Sequence, residues 1–224
     1  MTMIRTSLRL ASALGAMLLA TPLSAQADPA PIARDGVNLV FESLGHAFTM
    51  PPPDWLSGPQ RLSPDIMGLV ESNYYADPLQ AFVEFFPKGQ SIRNWTTTYA
   101  ARITLEPGRS LADYRDASIA GYSQACKPEA TGFFTFGEET EDFFPALGFV
   151  CGAYLDTIAE LKGQGEVMVT VFRKTEAGVG IVYQEWKGPA FDPSDITTWP
   201  VTAEAFQARA DQLQEHAKLL VGSE

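Results

Sequence analysis

The sequence predicts an α+β fold, a largely antiparallel sheet packed against a C-terminal helix and one internal helix. Three observations predict it. Runs rich in β-branched and aromatic residues follow one another with hairpin-sized loops between them. The end of the chain carries an apolar stripe at helical spacing, Ala203, Phe206, Ala210, Leu213, Ala217 and Leu220. No strand-helix-strand alternation long enough for a doubly wound sheet is present, so the helices are expected on one face of the sheet.

The chain opens with a leader. Arg5 and Arg9 precede an apolar run of 11 residues, Leu10 to Ala20, followed by Pro22 and the small-x-small triplet Ala25-Gln26-Ala27. This is the layout of a Sec-type secretory signal peptide cut after Ala27. The run is too short for a membrane span, which needs about 20 apolar residues. There is no paired arginine for twin-arginine export and no early cysteine to carry a lipid. The expected product is residues 28–224, one α+β domain, periplasmic or secreted, with no stable membrane insertion.

From Asp28 to Ala47 the pattern is irregular, and His46 to Met50 reads as a short strand. Pro51, Pro52 and Pro53 end it, because proline has no N–H for a ladder, which leaves Asp54 and Trp55 on a loop or edge. Leu79 to Phe86 alternates as a strand covered on both sides for part of its length. Pro87 and Gly89 stop it. Ser91 then suits the N-cap of a short helix from Ile92, placing Trp95 where it can fold back over the finished strand. The β-branched run Thr96-Thr97-Thr98 favours extended chain from Tyr99 to Leu105.

Ser110 and Asp113 form the two halves of a capping pattern. Leu111, Tyr114, Ser118, Tyr122 and Ala125 fall on one face of the helix they open, which delivers Cys126 to its end before Pro128. Strand-like runs follow at Thr131 to Phe136, Ala146 to Leu155, Glu166 to Lys174 and Val179 to Lys187. The last two are joined by Thr175-Glu176-Ala177-Gly178, a hairpin-sized loop. Thr202 caps the terminal helix, and Gly222 follows it.

Composition excludes several function classes. The formal net charge is −11. Without the leader, 14 basic residues face 27 acidic ones and the charge becomes −13. With no Lys/Arg cluster to reverse that field locally, neither nucleic acid nor an anionic membrane surface is an expected partner. The two cysteines, Cys126 and Cys151, lack C-x-x-C spacing. An even pair in an exported chain reads as a disulfide, which loop closure makes worth roughly 3 to 4 kcal/mol.

No motif for a cofactor or a metal stands out. His46 and His216 have no ligand partner at i+3 or i+4. A G-x-S-x-G elbow is absent. Gly163-Gln164-Gly165 and Gly178-Val179-Gly180 sit at strand starts as turns. The run Glu138, Glu139, Glu141, Asp142 lacks calcium-loop spacing and reads as a solvated turn. Asn94-Trp95-Thr96 matches the glycosylation triplet, an accidental match behind a leader of bacterial type.

Two candidate chemistries remain. Glu84 and Glu185 lie inside expected strands, where a carboxylate is costly unless it meets water or a partner. Lining one cleft, they would form the acid and base of a hydrolase. The plainer reading puts both on the outer pleat, facing solvent. Trp55, Trp95, Trp186 and Trp199 lie near loops or strand ends, where rings supply either core packing or pocket walls.

"FVEFFPKGQSIRNWTTTY", the cysteine pair and "VTVFRKTEAGVGIVYQEWKGPAF" together resemble a group of uncharacterised secreted proteins of proteobacteria, over Phe82 to Phe191. In those proteins a strand is followed by Gly-x-Ser and Asn-Trp-Thr, here Gly89, Ser91, Asn94, Trp95 and Thr96. A late hairpin ends in tyrosine and tryptophan, here Tyr183, Gln184 and Trp186. More loosely, "FTMPPPDW" with an antiparallel sheet and closing helix is similar to the Mog1/PsbP-like fold, whose members are mostly accessory proteins without a catalytic centre. The resemblance implies a non-catalytic binding or accessory protein of the cell envelope, with Asn94, Trp95, Tyr183, Gln184 and Trp186 as binding residues. The partner would be an envelope protein or a small apolar ligand, with no cofactor.

Overall fold

A computed structural model describes residues 30–139 and 144–222. The leader and its cleavage position lie outside these residues, as do Glu141 and Asp142 of the acidic run.

The first three strands form a meander: β1 (Ile32–Asp35), β2 (Asn38–Ser43) and β3 (His46–Met50). Two-residue turns set their register. Asp35 pairs with Asn38 across Gly36-Val37, and Ser43 pairs with His46 across Leu44-Gly45. Gly36, Leu44 and Gly45 all have positive φ, as hairpin turns of this length require. The described part of the stretch read as irregular, residues 30–47, is therefore mostly strand: alternation of Leu39 and Phe41 inward with Val40 and Glu42 outward makes β2 half-buried sheet.

After the prolines come a single turn of helix α1 (Gly58–Arg61), then β4 (Val70–Ala76), β5 (Gln80–Pro87) and β6 (Thr97–Thr104). The expected helix at Ile92 is a pair of turns instead. Asn94 N–H donates to Ser91 O and its side chain to the Gly89 carbonyl, so the segment closes on itself before a helix can propagate. Next are α2 (Leu111–Ser123), β7 (Thr131–Thr135), β8 (Leu147–Cys151), β9 (Gln164–Lys174), β10 (Val179–Pro189), α3 (Ala203–His216) and β11 (Lys218–Val221). The Ser110 and Thr202 hydroxyls accept the amides of Asp113 and Ala205, as the cap residues predict.

The strands form two wholly antiparallel sheets. One has the order β1-β2-β3-β11, the other β4-β5-β6-β10-β9-β8-β7. Alternate residues of the larger sheet enter two separate cores. Val83, Phe85, Tyr99, Ile103, Val169 and Val182 pack with Phe41 and Phe48 of the small sheet and with Phe206 and Leu213 of α3. On the opposite face Met168, Phe172, Ile181 and Phe149 pack with Tyr114 of α2 and with the cystine. The two helices thus cover opposite faces, not one. A second sheet, sharing the first core with α3, takes the remaining area. The sheets approach so closely at Gly180 that a Cβ there would lie 3.0 Å from the Phe48 ring.

The terminal stripe also departs from the expectation. Helix α3 stops at His216, and Leu220 lies 60% exposed in β11, paired with Ala47 of β3. Sheet pairing wins there because β3 otherwise offers an open edge. Arg173 of β9 then closes the helix, donating from Nε to Ala217 O and from Nη2 to Gln214 O, both at 2.8 Å. The Cys126–Cys151 disulfide is formed, with Cα atoms 5.7 Å apart, and ties the segment after α2 to the end of β8. No described helix is long and apolar enough to cross a membrane.

Candidate functional site

The face of the large sheet beneath α2 concentrates polar chemistry. Side-chain alternation carries Glu84 (β5), Arg102 (β6), Glu166 (β9) and Tyr183, Glu185 and Lys187 (β10) to this side. Helix α2 adds Tyr114 and Tyr122, and the loop after β8 adds Tyr154. Glu166 and Glu185 are 7% and 9% exposed. This is not an outer pleat facing water.

Burial dictates their protonation. Desolvation pushes the Glu185 carboxyl well above the usual carboxylate range, and the charges of Glu166 and Glu84 push the same way while Lys187 opposes. Glu166 is raised to about 7 by burial, against a hydrogen bond from the Tyr154 hydroxyl and the pull of Lys187. Half-buried Glu84 is raised by desolvation, opposed by a hydrogen bond from Asn73 and by Arg102. Burial also raises Tyr122, Tyr154 and Tyr183, so their hydroxyls stay protonated. The Lys187 amine is pulled down by burial, with Glu166 and Glu185 opposing.

Above this layer, between α2 and the sheet, lies an open cleft of about 500 Å³. Its walls include Arg102, Arg109, Tyr114, Tyr122, Ile181 and Tyr183. Glycine and alanine on α2, Gly121 and Ala117, keep it open, and a Cβ on Gly121 would meet nothing within 4 Å. The Tyr114 hydroxyl shares a 2.9 Å hydrogen bond with Thr104, and Arg109 donates to Glu106 at 2.7 Å. Arg102, Tyr122 and Tyr183 differ: among the described residues the Arg102 guanidinium has no hydrogen-bond or ion-pair partner and rests over the Phe82 ring at 5.5 Å, and neither tyrosine hydroxyl has a hydrogen-bond partner. Glu84, Glu166 and Glu185 do not line the cleft.

The five binding residues expected from the sequence do not converge. Asn94 and Trp95 line a separate groove of about 430 Å³ with Gly163 and Lys187, where the Lys187 ammonium sits 4.2 Å over the Trp95 ring. Tyr183 belongs to the α2 cleft. Gln184 and Trp186, one residue to either side of Glu185, point through the sheet into the other core, and Trp186 meets Phe206 edge-on at 5.8 Å. Gln184 donates to Thr97 at 2.7 Å inside the protein. Trp95 covers Lys187 of β10, not the strand that precedes it. Trp55 and Trp199 pack against the first core.

Sequence reading paired Glu84 with Glu185 but missed Glu166, Tyr122, Tyr154 and Arg102. One signal was available: Glu166 opens a strand-like run and stands directly before the apolar Val167-Met168-Val169, the same kind of misplaced charge as Glu185. No group of three or more His, Cys, Asp or Glu side chains suited to a metal ion occurs among the described residues. No known protein family matches the chain, and a search of curated proteins found no relative.

Proposed function

We propose that this is an exported, non-catalytic ligand-binding protein of the cell envelope, and that its ligand site is the cleft between α2 and the seven-stranded sheet. The observation that carries the reading is the set of unengaged groups there: a guanidinium and two tyrosine hydroxyls lining a cleft of ordinary ligand size. These groups make no hydrogen bond among the described residues and open onto the cleft, so a ligand's acceptors can take them in place of water. Export is supported by the leader pattern and by the disulfide, which persists in oxidising compartments. The Mog1/PsbP-like resemblance points the same way, toward an accessory role. The polar lining argues against a wholly apolar cargo.

The reading is tested by protein-observed NMR with aromatic fragments on the mature chain and on Gly121→Trp, which fills the cleft from α2. Perturbed amides around Tyr122 and Tyr183, lost in the tryptophan variant, support it. Perturbation confined to other surfaces contradicts it.

A hydrolase using Glu84 and Glu185 is the second reading, favoured by their shared face and raised pKa values. The position of Tyr122 and Tyr183 on the cleft wall, with the carboxyls outside it, weighs against access by substrate. Loss of activity on an envelope polymer in Glu84→Gln and Glu185→Gln would establish it.

A further inference from the structure

We infer that the α2 cleft selects a small carboxylic acid with a flat apolar body, its carboxylate seated on Arg102 and its body between the Tyr122 and Tyr183 rings. This rests on the reading of the cleft as a ligand site and adds the chemical class of the ligand.

The wall of the cleft is rich in hydrogen-bond donors. Arg102 carries five N–H donors and no acceptor, and the two hydroxyls each bring one more donor. None of these is engaged among the described residues. Two acceptors on the wall are committed. Glu106 takes Arg109, and the Thr104 hydroxyl shares its bond with Tyr114. With Gln80 and Ser118 as the neutral acceptors, the wall carries two guanidiniums, Arg102 and Arg109, against one carboxylate, Glu106, so its complement is an anionic, acceptor-rich group. The Arg102 guanidinium, 5.5 Å from the Phe82 ring centre and on the cleft wall, is a planar fork of the kind that matches the two oxygens of a carboxylate.

The surrounding charges permit an anion. The protein is strongly acidic, which slows the approach of any anion. Inside the cleft the balance differs. Glu185 and Glu166 lie outside the cleft lining, buried where two full charges repel; Glu106 on the wall is paired with Arg109, and the Glu84 carboxyl, also outside the lining, feels the charge of Arg102. No ion pair joins Glu84 to Arg102 within the described residues, so the guanidinium remains available. The rest of the wall, Ile181 and the tyrosine rings, suits an aromatic or alicyclic body and not a second charge.

The test titrates the mature protein with 2-naphthoate, its neutral isostere 2-naphthamide and the cation 2-naphthylmethylamine, reading affinity from cleft amide shifts. Wild type should bind the acid at least tenfold more tightly than the amide, and Arg102→Gln should bring the two within about twofold while still binding the amide. If acid and amide bind the cleft alike, or if the amine binds best, the inference fails and the cleft reading stands. If none of the three perturbs the cleft, both fail. Should Arg102→Gln not fold, the wild-type comparison and Arg102→Lys, which keeps the charge but loses the fork, decide the same question, the lysine variant being expected to retain only part of the preference.

Discussion

Glu166 and Lys187 stand directly opposite each other across β9 and β10, yet their charges do not pair among the described residues. The carboxylate instead takes the Tyr154 hydroxyl, and the ammonium rests on Trp95. Burial raises the Glu166 carboxyl to about 7 from its ordinary 4.5, against the Tyr154 hydrogen bond and the charge of Lys187. The folded state binds the extra proton between those values, so the associated stability is complete below about 4.5 and is lost as pH rises through 7. A displacement of that size corresponds to roughly 3 kcal/mol. Urea denaturation at pH 5 and pH 8 should show wild type losing on that order relative to Glu166→Gln. Parallel pH dependence of the two proteins would contradict the assignment. Glu185→Gln should shift the balance with the same sign, since its carboxyl is raised by the same burial.

The cystine fixes one wall of the cleft. It joins the chain just after α2 to the end of β8, so that α2 is held over the sheet. Replacing Cys126 and Cys151 by serine should cost about 3 to 4 kcal/mol and should raise amide exchange in α2 more than in α3. Equal exchange in the two helices would show that the bridge does not position α2.

Arg173 is a helix cap supplied from a strand. Two carbonyls at the end of α3 depend on its guanidinium, which burial has already made costly to desolvate. Bonds to a charged donor contribute about 1.5–3 kcal/mol each, so Arg173→Ala should lose roughly 2 to 4 kcal/mol and loosen β11, which follows the cap directly. A loss below about 0.5 kcal/mol in urea denaturation would reject this role.

Arg209 of α3 is 2% exposed, stacked 4.3 Å over the Tyr99 ring, with Nη1 donating to Pro52 O and Gln212. Its Nε and Nη2 have no hydrogen-bond partner among the described residues. A buried guanidinium so incompletely paired offers little net stability over an apolar residue of similar size. Arg209→Met should therefore fall within about 1 kcal/mol of wild type or above it, whereas Arg209→Ala should lose about 3 kcal/mol or more by opening a cavity. Equal losses in both variants would show that the charge itself is stabilising.

Elements with a strong local signal were legible in the sequence. Helix α2 announced itself through Ser110 and its tyrosine face, and β9 and β10 through length and β-branched content. The short strands β1 and β2 were less visible, although Asp35-Gly36 and Leu44-Gly45 mark their turns, because four to six residues give too little alternation. Strand β11 was hidden by coincidence: Leu213, Ala217 and Leu220 continue the helical spacing, and only the pairing with β3 breaks it. The site was legible as residue types but not as a place. Tyr183, Gln184 and Trp186 look contiguous in sequence, but strand alternation sends the first to the cleft and the other two into the opposite core. Arg102 looked ordinary, because nothing in its neighbourhood along the chain reveals that its guanidinium has no partner.

A crystal structure of the mature protein with 2-naphthoate would place the ligand in one groove or the other. The ring system is expected between Tyr122 and Tyr183 and the carboxylate on Arg102. Density for the compound in the Trp95 groove alone, with the α2 cleft holding only solvent, would contradict it.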